Sequence, residues 1–328
     1  MKLPYKSKYY ISKAAKFTNI KLKNARGFST LEILIASALG LIIIAGICQV
    51  YLSVKNTYQK QANLADLQEN IRFATYTLTQ NIRMAGYAGC AKLAYLKNPD
   101  TYYKHSFTSK KLNNLDFIFE KSLLGFSSNN LPDYLLDKKV KTDTDVIVIQ
   151  KADIGLTRFY GTEITAATTY VVVKQNPATK NNPLLLLASC ENAEVFQAKE
   201  IGGTQISLAG KDNFHYRYNY NDTTISSFTE IAYFVSTSGN KDIHGKPIYS
   251  LYMVTNRGDK EEIITGINSM KITYGISGNQ QITYRSAGEI DALKAWQNVK
   301  SVRIVLTLKT LNAETKTLEL YVALRERV

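Results

Sequence analysis

The run ILIASALGLIIIAGICQVYL, from Ile33 to Leu52, holds 20 consecutive residues without a formal charge. No other feature limits what the chain can fold into so strongly. As a helix rising ~1.5 Å per residue it spans about 30 Å, one hydrocarbon thickness. Residues 1–27 carry eight basic residues (Lys2, Lys6, Lys8, Lys13, Lys16, Lys21, Lys23 and Arg26) and no acid. That bias predicts a cytoplasmic N-terminus and a remainder that lies outside. A secretory signal cut at Ala36-Ser37-Ala38 fits poorly: only Ile33 to Ile35 would precede the cut, where about 7–15 apolar residues are needed.

Glu32 stands at the entrance of the run, five residues after Gly27. A carboxylate near the interface costs free energy and wants a partner. Cutting the chain after Gly27 would create an amine at Phe28, one helical turn from Glu32. That amine can pair with Glu32 of the same chain, helped by the field of a helix N-terminus, or with Glu32 of a neighbouring helix. The second pairing would set the register between packed helices.

The formal net charge of +14 resembles a nucleic-acid signal until its distribution is considered. Beyond residue 27 there are 33 basic and 27 acidic residues, interspersed and without a basic stripe, so direct nucleic-acid binding is not expected. Of the three cysteines, Cys48 lies in the apolar run. Cys90 and Cys190 lie beyond it and can pair in an oxidising compartment. Their bridge would close a loop of about 100 residues, worth ~4.7 kcal/mol in the chain-entropy model; two separate buried thiols are the other reading.

The helix continues past the apolar run, since no proline occurs between Pro4 and Pro99 and no glycine between Gly46 and Gly86. Leu64, Leu67, Ile71, Ala74, Leu78 and Ile82 form a stripe at spacings of three and four. Gly86 and Gly89 supply a stop. One helix over residues 28–85 is expected, its half at 28–52 spanning a membrane or packing in a filament and its half at 53–85 docking on a domain. Residues 86–328 read as mostly strand. DVIVIQ and TYVVVKQ are β-branched runs, NFHYRYNY alternates, and Val302, Ile304, Leu306, Leu308 and Leu318, Leu320, Val322, Leu324 form the two sides of a terminal hairpin. The expected fold class is α+β: a long N-terminal helix on a mainly antiparallel β-sheet, with room for a small added subdomain.

A basic leader ending in Gly27, then Phe28, Glu32 and an apolar helix, resembles the type IV pilin family. LQENIRFATYTLTQNIRMAGYAGC (67–90), LLLASCENAEVF (185–196), EEIITGINSMKITYGI (261–276) and WQNVKSVRIVLTLKT (296–310) resemble segments of the PilW minor pilins. The second of these places Cys190 where that family has a cysteine. Residues 91–143 carry the weakest likeness and read as variable loops or extra elements. The resemblance implies a prepilin peptidase that cuts after Gly27 and methylates Phe28, with Glu32 assisting register during assembly. It also implies other minor pilins, the major pilin and a PilY-type tip adhesin as partners. The expected location is the inner membrane, as a single pass with a periplasmic domain, and then the pilus. A J-type minor pseudopilin of type II secretion is the alternative within this class.

An envelope enzyme finds little support. His105, His215 and His244 lie far apart without metal-ligand spacing, and neither a nucleophile elbow nor a P-loop is present. Asp143 and Asp145 read as a solvated turn opening a strand rather than a cation site. Asn221-Asp222-Thr223 matches a glycosylation acceptor, a pattern common by chance. No catalytic residue, cofactor or metal is expected.

Overall fold

The computed structural model describes residues 27–89, 103–106, 122–153, 157–161, 163–165, 168, 170–174, 184–190, 192–198, 203–207, 214, 216–242, 245–278, 281–309 and 315–325. They divide into two compact units, one ending at Gln61 and the other beginning at Ala62.

Helix α1 spans Thr30–Arg83, starting two residues later and ending two residues earlier than the sequence pattern suggests. Ser29 sets the start: its carbonyl accepts the N–H of Glu32 at 3.0 Å and of Ile33 at 3.2 Å. Its hydroxyl accepts the N–H of Leu31 at 3.4 Å, an N-cap arrangement. From Ile33 to Leu52 the helix is uncharged and largely apolar all round, with Leu34 at 66% and Ile42 at 69% exposure. Such a surface suits a non-aqueous environment, and α1 is long and apolar enough to cross a membrane.

In the second unit the last turns of α1 bury Leu67, Ala74, Leu78 and Ile82, with Ile71 packed beside them. Fully burying a leucine or isoleucine stabilises by about 1.5–3 kcal/mol, so this stripe is the main attachment. Leu64, expected in it, stays 36% exposed. After Arg83, the N–H of Gly86 leaves the helix and donates to Gln150 at 2.9 Å. Gly86 and Gly89 both hold φ of 81°, a region open chiefly to glycine.

The strands in chain order are β1 (Tyr103–Ser106), β2 (Leu123–Ser127), β3 (Asp145–Ala152), β4 (Phe159–Tyr160), β5 (Glu163–Ile164), β6 (Tyr170–Val173), β7 (Leu184–Ala188), β8 (Ala193–Gln197) and β9 (Gln205–Ser207). They continue as β10 (Tyr218–Asn219), β11 (Thr224–Lys241), β12 (Pro247–Thr255), β13 (Lys260–Thr265), β14 (Ile267–Ser277), β15 (Ile282–Arg285), β16 (Val299–Lys309) and β17 (Thr315–Ala323). A short helix α2, Ala287–Ala292, separates β15 from β16. The α+β class expected from sequence is the one observed.

There is more than one sheet. An eight-stranded sheet runs β1-β8-β7-β11-β12-β13, with β3 and β2 joined to it through β11. Its pairings are antiparallel except β1 with β8. A four-stranded sheet runs β15-β14-β16-β17, and two small ones are β4-β6-β9 and β10-β5. β3 is covered on both faces, which explains its unbroken β-branched run. Ile147 and Ile149 join Tyr233, Leu78, Ile304 and Leu306 in the core beneath α1. Val146 and Val148 face the other way, against Ala232, Phe234 and the Leu135 side chain.

The terminal hairpin forms as expected, with Ile304 opposite Leu320 and Val302 opposite Val322. Among the described residues of NFHYRYNY, only Tyr218–Asn219 is extended in a ladder, shorter than the alternation suggests. Phe214 and Tyr218 are still buried, within a separate core that includes Phe159, Leu187 and Phe196. Edge-to-face rings, Phe196 on Phe214 at 5.4 Å and Tyr216 on Tyr218 at 6.5 Å, fix this segment by side-chain packing.

Candidate functional site

The residues singled out for processing and assembly lie at the start of α1. Phe28 is 77% exposed, and Glu32 is exposed on the first turn of the helix. A carboxylate there meets the positive end of the helix dipole. Ser29 and Glu32 also stand at the S-x-x-E spacing of a capping box. Gly27 has open space around its α-carbon.

Cys190 is disulfide-bonded, whereas Cys48 is a free thiol. Cys90, the partner expected from sequence, lies outside the described residues. Leader residues 1–26 also lie outside them, as do His215 and His244. Among the described residues no group of three His, Cys, Asp or Glu side chains is placed to hold a metal. Asp143 and Asp145 serve structure. Asp143 pairs with Lys271 at 2.6 Å, and the Asp145 carboxylate accepts the N–H of Ile272 at 2.7 Å. Together they tie the start of β3 to β14. Burial raises the Asp145 pKa, against the lowering effect of that backbone hydrogen bond.

Within the second unit, a cleft of about 180 Å³ opens between α1 and the sheets. Asn63, Asp66 and Asn70 form one wall, while Pro247, Ile248 and Tyr249 form another. Lys309 and Asp242 approach to 3.4 Å at its rim. Lys141 lies 4.2 Å from the centre of the Tyr249 ring and donates to the Asn268 carbonyl at 2.6 Å. Burial lowers the Lys141 pKa, opposed by Asp143 and reinforced by Lys309. The cleft is thus lined by amide, carboxylate and ammonium groups on one side and by Pro247, Ile248 and Tyr249 on the other.

A second polar cluster lies under the turn joining β12 to β13. Glu230, buried in the middle of β11, accepts hydrogen bonds from Gln150 at 2.7 Å and Arg257 at 3.1 Å. Arg257 also stands 5.0 Å from the Tyr134 ring centre. Burial pushes the Glu230 pKa up, and Arg257 and Gln150 pull it back. Asn256 and Arg257 hold φ of 48° and 57°, uncommon for these residues. The ion pair therefore pins a turn that the backbone alone disfavours.

Residues 232–324 match the family model described as PilW, Type IV Pilus-assembly protein W. The matched stretch begins within β11 and includes β12 to β17. It supports a type IV pilus-related family and a role in pilus assembly for the chain. Two of the four segments resembling PilW proteins, 261–276 and 296–310, fall inside it; the helix end and the Cys190 segment fall outside. Comparison with curated proteins and with solved structures gave no match.

Proposed function

We propose that this chain is a minor pilin of the PilW type, a structural subunit that helps prime type IV pilus assembly. One observation carries the reading: the junction Arg26-Gly27-Phe28 with Glu32, heading an exposed apolar helix, shares a chain with a PilW-matching C-terminal region. Residues 1–27 act as the leader, 28–52 as the membrane and filament-core half of the helix, 53–85 as its amphipathic half and 86–328 as the β-rich domain.

Prepilin peptidase cuts after Gly27 and methylates Phe28. The helix waits in the inner membrane with its N-terminus cytoplasmic, then packs against helices of other minor pilins and the major pilin. Glu32, placed in the first turn beside the new amine, sets the register. The β domain, stapled by Cys90 and Cys190 in the periplasm, meets partner pilins and a PilY-type tip adhesin. Twitching motility and attachment follow downstream of assembly.

The test is mass spectrometry of the mature N-terminus from cells with and without the peptidase. A chain beginning at methylated Phe28 only when the peptidase is present is the expected result. Retention of residues 1–27 in both strains would overturn the processing and the register mechanism together. Recovery in sheared pili separates a pilus subunit from a pseudopilin.

A further inference from the structure

Three short polar side chains stand beside the apolar stripe of α1 without a structural task. Asn63, Asp66 and Asn70 are spaced by three and four residues, so they share one helical face. Asn63 and Asn70 are half-buried. Asparagine and aspartate are poor residues for a helix interior, because their side chains compete for the backbone. A cap or a partner usually explains them there. All three lie well inside α1, and no described residue hydrogen-bonds or ion-pairs with their side chains. Further along the same helix, Asn81 shows the contrast. Its amide donates to the Thr77 carbonyl at 3.0 Å and to the Tyr233 hydroxyl at 2.8 Å.

The three idle groups form one wall of the cleft, with Pro247, Ile248 and Tyr249 on another. Lys141, over the Tyr249 ring at 4.2 Å, holds that ring in place. The Lys141 ammonium also engages both the carbonyl and Oδ1 of Asn268, which leaves the Asn268 amide N–H groups to the cleft. The charges cancel, Asp66 and Asp242 standing against Lys309 and Lys141. A metal ion would meet the Lys309 ammonium, and an anion would meet the Asp66 carboxylate. A wholly apolar ligand would strip water from three polar groups and return no hydrogen bond. What remains is a neutral ligand with hydroxyls on its edge and an apolar face. At about 180 Å³ the cleft is smaller than the roughly 300–1,000 Å³ of sites for drug-sized ligands, so it suits a single small ring.

We propose that this cleft binds one neutral sugar ring, its hydroxyls hydrogen-bonded to Asn63, Asp66 and Asn70 and its C–H face against Ile248 and Tyr249. This inference does not rest on the assignment as a pilin. Amides donate and accept, and a carboxylate accepts twice, which matches hydroxyls that do both. The polar residues are then kept at a cost in stability, as binding groups commonly are.

The test uses the full chain in an amine-oxide detergent, since a glycoside detergent would itself present sugar. Saturation-transfer NMR with glucose, galactose and N-acetylglucosamine at millimolar concentration should show transfer to the ring protons of at least one. Asp66→Leu and Asn70→Leu should each abolish it. Asn70→Leu should also raise the urea unfolding midpoint, because the leucine extends the stripe and the fold does not use the amide. A structural role for Asn70 gives the reverse, a lower midpoint, and that result would overturn the proposal. So would transfer to none of the three sugars, or transfer that both variants retain. Transfer to tetramethylammonium or acetate, with none to the sugars, would overturn it too and assign the cleft to an ion of that sign.

Discussion

Replacing Gly125 by alanine tests how the two large sheets are fitted together. Gly125 lies in β2 opposite Ile147. A Cβ there overlaps the Tyr274 hydroxyl and stands 2.5 Å from Cζ and 2.7 Å from Cε2. Tyr274 has no room to withdraw: it is fully buried, with Trp296 edge-on at 4.8 Å. Overpacking costs about 1–3 kcal/mol, and a clash against a held aromatic ring belongs at the upper end, about 3 kcal/mol. The Tyr274 hydroxyl is itself buried without a hydrogen-bond partner, so removing it orphans nothing. Tyr274→Phe should therefore stabilise the fold by about 1 kcal/mol. In the double variant the clash with the hydroxyl is gone but the ring contacts remain, so about 1 kcal/mol of coupling should appear beyond additivity. Trp296 is the one tryptophan of the chain, and its fluorescence during urea unfolding reports on this contact directly. A Gly125→Ala protein within about 0.5 kcal/mol of the parent, the range of an innocuous surface change, would refute the reasoning. So would a Tyr274→Phe variant less stable than its parent.

Three further outcomes follow from the packing and the charges. Leu78→Ala, at a fully buried position of the α1 stripe, should cost about 2–5 kcal/mol, whereas Leu64→Ala should change the unfolding midpoint little; equal effects would mean the helix is attached elsewhere. Cys190→Ser removes a disulfide and should cost about 2–5 kcal/mol, measured under non-reducing conditions and vanishing when both proteins are reduced. Burial raises the Glu230 pKa in the fold. Its contribution is therefore fully present below the ordinary glutamate range and is lost as pH rises through the raised value. Glu230→Gln should gain on the parent across that window in pH-dependent unfolding, and a difference that shrank with rising pH would contradict the shift.

The helix and the terminal hairpin were legible because their order is local. Periods of three to four and of two bring Leu67, Ala74, Leu78 and Ile82, or Val302 and Ile304, onto one face whatever else the chain does. Leu64 obeyed the same period yet stays exposed, because periodicity marks a face without saying where its cover ends. NFHYRYNY misled for a related reason. Alternation reported which side chains are buried, but rings packing on Phe196 do that work where a ladder was expected. The tie between Asp145 and the Ile272 N–H was invisible, since its partners lie 127 residues apart. The walls of the cleft come from residues 63–70, 242–249, 265–268 and 309, and no local pattern announces such a meeting. At the start of α1 the N-cap was legible in Ser29, whose hydroxyl accepts the N–H of Leu31.

β3 and β11 lie side by side in the large sheet, paired from Phe228↔Ala152 to Tyr233↔Ile147. Between Asp153 and Thr223 the chain returns to the same sheet as β7 and β8, and β7 pairs with the first residues of β11. The buried cluster of Phe159, Val171, Ile206 and Tyr218 packs on Leu185, Leu187 and Phe196 of those two strands. β11 therefore serves two cores along its length: Ile225 lies in this cluster and Ile231 and Tyr233 lie in the core beneath α1, so one long strand is the beam that both share.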